Sequence, residues 1–142
     1  MFVLNLVTPE KRLVTDAEIS EVIVPGDKGQ LDIFPGHAPL MTTLGTGLLQ
    51  YKTKGAAAFE TVVVSWGYCQ VNPDGVVILA ETAESIEEID RERSETARKA
   101  AQTKLLDPFL EPDQIAKFQR KLARADARLA ALGVRAADST SH

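Results

Sequence analysis

The chain has 142 residues, 44% hydrophobic and 25% charged, with a net charge of −4. That length fits one domain, or one domain with a small appendage, able to bury roughly 68–70% of its unfolded surface. A single cysteine excludes an internal disulfide and a cysteine-based metal cluster, and no apolar run approaches the roughly 18–20 residues that cross a bilayer as a helix.

Phe2, Leu4 and Leu6 alternate with Val3, Asn5 and Val7 and predict a first strand, where a basic leader would mark a targeting signal. Glu18 to Val24 predicts a second strand that stops at Pro25-Gly26. From Val24 to Gly47 the chain reads VPGDKGQLDIFPGHAPLMTTLGTG, with Pro-Gly, Lys-Gly, Pro-Gly and Gly-Thr-Gly between short apolar runs. This rhythm belongs to tight turns between strands, not to a helix or a phosphate loop. Further strands are expected at Gly47–Thr53, Ala58–Ser65 and Gly67–Val71. Asn72-Pro73-Asp74-Gly75 reads as a hairpin turn, since proline presets φ and Asp-Gly closes the reversal. Val76 to Ala80 then predicts a strand buried on both faces. About ten short strands suggest an antiparallel β-sandwich or a flattened barrel over residues 1–84.

The period changes at Ser85. Ser85 and Glu88 have capping-box spacing, predicting a helix to about Lys104, stopped by Asp107-Pro108. Pro112-Asp113 opens a second helix that Gly133 is expected to end. Ile115, Phe118, Leu122, Ala125, Leu129 and Leu132 give it a narrow apolar seam. The short loop between them implies an antiparallel hairpin over 85–134, followed by a flexible tail at 135–142.

Charge is distributed unevenly. Residues 1–85 carry 5 Lys+Arg against 10 Asp+Glu, whereas residues 114–135 carry 6 basic residues and only Asp126 opposing them. Lys117, Lys121, Arg124 and Arg128 form a row beside the apolar seam. It reads as a solvated face or as a docking face for an acidic protein surface. Nucleic acid is disfavoured by the acidic whole chain and by the lack of aromatics beyond Phe118 in this helix.

Chemistry is sparse. His37 has no nucleophile motif nearby, and the other histidine is His142, so neither a hydrolase nor a metal site is expected and no catalytic residue is assigned. Cys69 reads as a small buried apolar residue. Asp90 and Arg93 are three apart on a helix face. They read as an intrahelical ion pair, or as a base- or ribose-accepting carboxylate beside a phosphate-binding guanidinium.

Pro25-Gly26 through Gly29, Ile33-Phe34-Pro35-Gly36-His37-Ala38-Pro39-Leu40, Gly45-Thr46-Gly47, Gly67 to Val71, Val76 to Thr82 and the helical hairpin carry a resemblance over residues 1 to about 133. The chain resembles the epsilon-subunit family of the proton-translocating F-type ATP synthase, of bacterial or plastid type because no presequence precedes the first strand. The resemblance implies a non-catalytic central-stalk subunit. It would couple the catalytic sector to the membrane c ring and inhibit ATP hydrolysis through its C-terminal helices. Implied partners are the gamma subunit, the c-subunit ring and, with the helices extended, the catalytic alpha and beta subunits. Membrane association would then be indirect, on the cytoplasmic face of a bacterial inner membrane or the stromal face of a thylakoid.

Residue by residue, the resemblance places Asp27, Lys28, Gln30 and His37 toward the c ring and gamma, with Gln30 uncharged where some members carry an acid. It gives Lys117, Lys121, Arg124 and Arg128 an acidic catalytic-subunit surface. No cofactor is required, and ATP is the implied regulatory ligand. Ile89, Asp90 and Arg93 match the family's ATP motif, while Ser94 replaces its alanine and Ala100 stands where ATP-binding members have a further arginine. The rival reading is a nucleotide sensor acting outside the synthase.

Overall fold

The computed structural model describes residues 1–140, and the side chains of residues 1–134. It divides into two compact units, Met1–Glu84 and Ser85–His142.

The first unit is a six-stranded sheet curled on itself. Its strands are β1 (Val3–Val7), β2 (Arg12–Gly26), β3 (Gly29–Ile33), β4 (Leu40–Thr53), β5 (Glu60–Asn72) and β6 (Gly75–Ser85). The order is β1-β6-β5-β4-β2-β3, and β1 also pairs with β2, which closes a flattened barrel with β3 added to the far half of β2. Pairing is antiparallel except between β1 and β6, which run parallel with Val3 opposite Gly75. The alternation seen in the sequence points one residue in two inward. Leu4, Leu6, Val22, Val24, Ile33, Leu49, Val64 and Ile78 are all fully buried in one apolar core.

Six strands, four of them 11 to 15 residues long, replace the ten short ones expected. Glycine was read as a boundary, yet Trp66 (φ 56°) and Gly67 (φ 137°) form a kink inside β5, and Gly45 and Gly47 lie within β4. Bending is what lets β4 and β5 wrap around the core, so these glycines shape strands and do not end them. β2 likewise continues through Pro25-Gly26 and turns at Asp27-Lys28. The hairpin at Asn72–Gly75 forms as expected, with the Asn72 side-chain oxygen accepting from the Asp74 amide at 3.1 Å.

The second unit is a helical hairpin of α1 (Arg91–Leu105) and α2 (Pro112–Thr140). The capping box does not form. Ser85 makes no side-chain cap, Ile86–Glu88 is a single 3-10 turn, and Ile89 is extended. The helix starts one step later, where Asp90 caps it by accepting from the Arg93 amide at 3.1 Å. Asp and Ser are comparable N-caps, and the extended Ile89 between them settles the choice. Gly133 does not end α2, which runs to Thr140, so the tail expected from residue 135 does not begin there, and residues 141–142 lie outside the described residues. Gly133 has no left-handed φ and has open space around it. Between runs of alanine and leucine, a helical glycine costs only about 1 kcal/mol relative to alanine.

Candidate functional site

The side chains that the sequence pointed to lie in both units. In the barrel, Asp27 and Lys28 form the exposed β2–β3 turn, and Gln30 is exposed at the start of β3. Asp27 is anchored to β4: its amide donates to the Thr43 carbonyl at 2.9 Å, and the Thr43 hydroxyl donates to its carboxylate at 3.4 Å. His37 belongs to a separate loop between β3 and β4. There Pro35 and Gly36 (φ 89°) occupy the middle of a turn in which the His37 amide donates to the Phe34 carbonyl at 3.1 Å. Proline then glycine with positive φ is the type II pattern. The His37 ring bonds to its own neighbour, the Ala38 carbonyl, at 2.8 Å. It is a turn histidine, and nothing arranges it as a base.

Beside the Asp27 turn, β4, β5 and β6 present an apolar outer face that the sequence did not disclose. Met41 pairs with Gln70 and Thr43 with Tyr68, which puts all four on the same side of the sheet. Met41, Tyr68 and Leu79 are 66%, 57% and 51% exposed. Leu79 corrects the expectation that Val76–Ala80 is buried on both faces: Val76, Ile78 and Ala80 point inward and Leu79 outward. Large apolar side chains grouped on one exposed face mark an interaction surface more often than chance placement. The available signal was the alternation in β4 and β5, which already put Met41 and Tyr68 out of phase with the core.

Elsewhere on the barrel, Glu21 has its pKa raised by a hydrogen bond with Asp32, then by desolvation and the Asp32 charge, with Lys52 opposing. Cys69 is fully buried, and burial pushes its thiol up to about 11, so it stays a neutral apolar residue.

In the hairpin, Ile89 is half-buried while Asp90 and Arg93 are exposed at the N-terminus of α1. One Asp90 oxygen is occupied as the helix cap. Ser94 is buried, and its hydroxyl donates to the Asp90 carbonyl at 2.8 Å. The basic row is partly gathered. Lys121, Arg124 and Arg128 of α2 line a groove of about 470 Å³ together with Lys104, the last-turn lysine of α1 that sequence reasoning missed. Its floor is Ala97, Ala101 and Phe118. Lys117 does not line it. Lys117 and Lys121 place their ammonium groups 5.8 and 5.7 Å from the Phe118 ring, within cation–π range. Alanines buried at 101 and 125 let the helices approach closely. Across that contact Arg98 of α1 pairs with Asp126 of α2 at 2.9 Å.

No group of His, Cys, Asp and Glu among the described residues could hold a metal ion. No described helix is long and apolar enough to cross a membrane.

Residues 1–86 match the family described as the ATP synthase Delta/Epsilon chain beta-sandwich domain. An ATP synthase epsilon chain of Bdellovibrio bacteriovorus is 45% identical over 128 residues, covering 90% of this chain and 91% of its own. One of Moorella thermoacetica is 43% identical over 132 residues, covering 92% and 95%. A chain in the mitochondrial ATP synthase OSCP/F1/c-ring structure of Euglena gracilis shares the fold, with a TM-score of 0.82 over 92% of this chain and 81% of that one, at 23% identity.

Proposed function

The chain belongs to the epsilon family of ATP synthase subunits, and from that premise we propose that it is a non-catalytic subunit of the central stalk. In this reading it links the catalytic sector to the membrane c ring during proton-driven ATP synthesis. Its helical hairpin restrains ATP hydrolysis. The observation that carries the reading is the match to epsilon chains along nine-tenths of both partners.

The two surfaces divide the work. The apolar face of Met41, Tyr68 and Leu79 takes the gamma subunit, because large apolar side chains of this kind anchor interfaces. The neighbouring Asp27, Lys28 and Gln30 turn and the His37 loop lie toward the c ring. With the hairpin open, the basic row of α2, Lys117, Lys121, Arg124 and Arg128, takes the acidic surface of the catalytic subunits, with positive charge steering the approach and setting register. Association with the membrane runs through the complex, on the cytoplasmic face of a bacterial inner membrane.

Binding to purified gamma tests the first surface. Met41→Ser and Tyr68→Ser together are expected to weaken it by about tenfold or more. Unchanged affinity removes gamma from this face, and no binding by the unaltered chain overturns the stalk role.

A regulatory nucleotide completes the reading. Arg93 is the phosphate contact, Asp90 offers its second oxygen, and Ile89 precedes them in the motif. Titration calorimetry with ATP on the full chain is expected to show binding that Arg93→Ala weakens by about tenfold, as loss of a charge-assisted contact does. No heat at millimolar ATP discards the nucleotide and leaves the stalk role intact.

A further inference from the structure

We propose that Arg98 and Asp126 form a latch that holds α1 and α2 together and sets how readily the hairpin opens. The proposal rests on the reading that the hairpin regulates hydrolysis, and it names the contact through which that regulation is tuned.

The pair joins the two helices at 2.9 Å, and its chain neighbourhood includes Ala101 of α1 and Ala125 of α2, both buried. A bridge placed there has both helix backbones fixed beneath it, so little further ordering is needed to form it. Sequence spacing makes the bond conditional on closure. Asp126 is the one carboxylate between residues 114 and 134, and its neighbours three and four positions away are Leu122, Ala123, Leu129 and Ala130. No cation stands within a helical turn of it on its own face. Once the helices part, Asp126 has no intrahelical replacement for Arg98. Arg98 fares differently, because Glu95 lies three residues before it. The bond is therefore available to the closed hairpin and lost on opening.

Both side chains are about half exposed, at 48% and 51%. Solvent screening limits such a pair to a modest bias, which suits a latch that must release. It also makes the latch sensitive to salt, since the screening length falls from about 30 Å at 0.01 M to about 3 Å at 1 M.

Hydrogen exchange of the full-length chain in low salt tests this directly. Arg98→Asp and Asp126→Arg are each expected to speed exchange of the Ser94–Leu105 amides by about two- to fivefold. The double charge swap, Arg98→Asp with Asp126→Arg, is expected to restore the slow rate. Salt at about 1 M should bring the unaltered chain close to the single variants. Single variants that exchange at the unaltered rate, or a swap that fails to restore it, overturn the latch. Hydrolysis by the catalytic sector gives a separate readout, with each single variant expected to inhibit more strongly. Faster exchange with unchanged inhibition keeps the latch and overturns the regulatory role of the hairpin.

Discussion

A chain ending at Glu84 is expected to bind gamma as the full chain does and to lose its restraint on ATP hydrolysis. The barrel holds a complete core of its own: every residue of the buried apolar cluster, from Phe2 to Ala83, lies before the cut. The apolar face of Met41, Tyr68 and Leu79 and the Asp27 turn are also retained. Removed with the helices are the cationic groove and the whole basic row. Coupling between sites is ordinarily worth about 5- to 150-fold in an equilibrium, so relief of at least about fivefold is the expected size. The measurement compares hydrolysis by the purified catalytic sector with each form added in excess. Equal inhibition by the short chain would place the regulatory element in the barrel and contradict the role given to the hairpin.

Replacing Gly67 by alanine is expected to destabilise the barrel by about 3 kcal/mol or more. Two effects combine. Its φ of 137° lies where side chains are strained, and an added Cβ would run into the Leu79 carbonyl oxygen and the Ala80 backbone of the neighbouring strand. That obstacle is backbone in the middle of the sheet and cannot move aside as a flexible side chain would. Gly29 supplies the control. Its φ is 129°, yet nothing lies within 4 Å of its added Cβ. Gly29→Ala should cost only the conformational strain, about 1 kcal/mol. Urea or thermal unfolding of the two variants separates close packing from backbone strain. A Gly67→Ala loss no larger than that of Gly29→Ala would show that β5 and β6 can part at this point without penalty.

Much of the second unit was legible because helices are local. Alanine and leucine spacing, Asp107-Pro108 and Pro112 are all read within a turn or two, and two helices joined by a short loop formed where they were expected. The errors were also local, at the ends. Ser85 looked like the cap, and the extended backbone at Ile89 moves the start of the helix to Asp90. Gly133 looked like a stop signal, but a glycine stops a helix only if the chain there turns left-handed, and it does not.

The sequence by itself determined the kind of protein this is. Alternating apolar residues up to Ala83 and the Pro-Gly turns were enough to say barrel or sandwich, the change of period at Ser85 was enough to say hairpin, and the resemblance carried by Pro35-Gly36-His37-Ala38-Pro39-Leu40 implied contact surfaces. What only the tertiary structure decided is long-range. The parallel seam between β1 and β6 brings Val3 beside Gly75. A kink at Trp66-Gly67 keeps β5 one strand. Met41 and Leu79, 38 positions apart in the chain, come to share one outer face with Tyr68. Lys104 turns into the groove of α2, and Arg98 finds Asp126. Periodicity reports which side of an element is apolar, because that follows from backbone geometry within a few residues. It does not report which element stands opposite, because that depends on how a whole sheet curls and two helices meet.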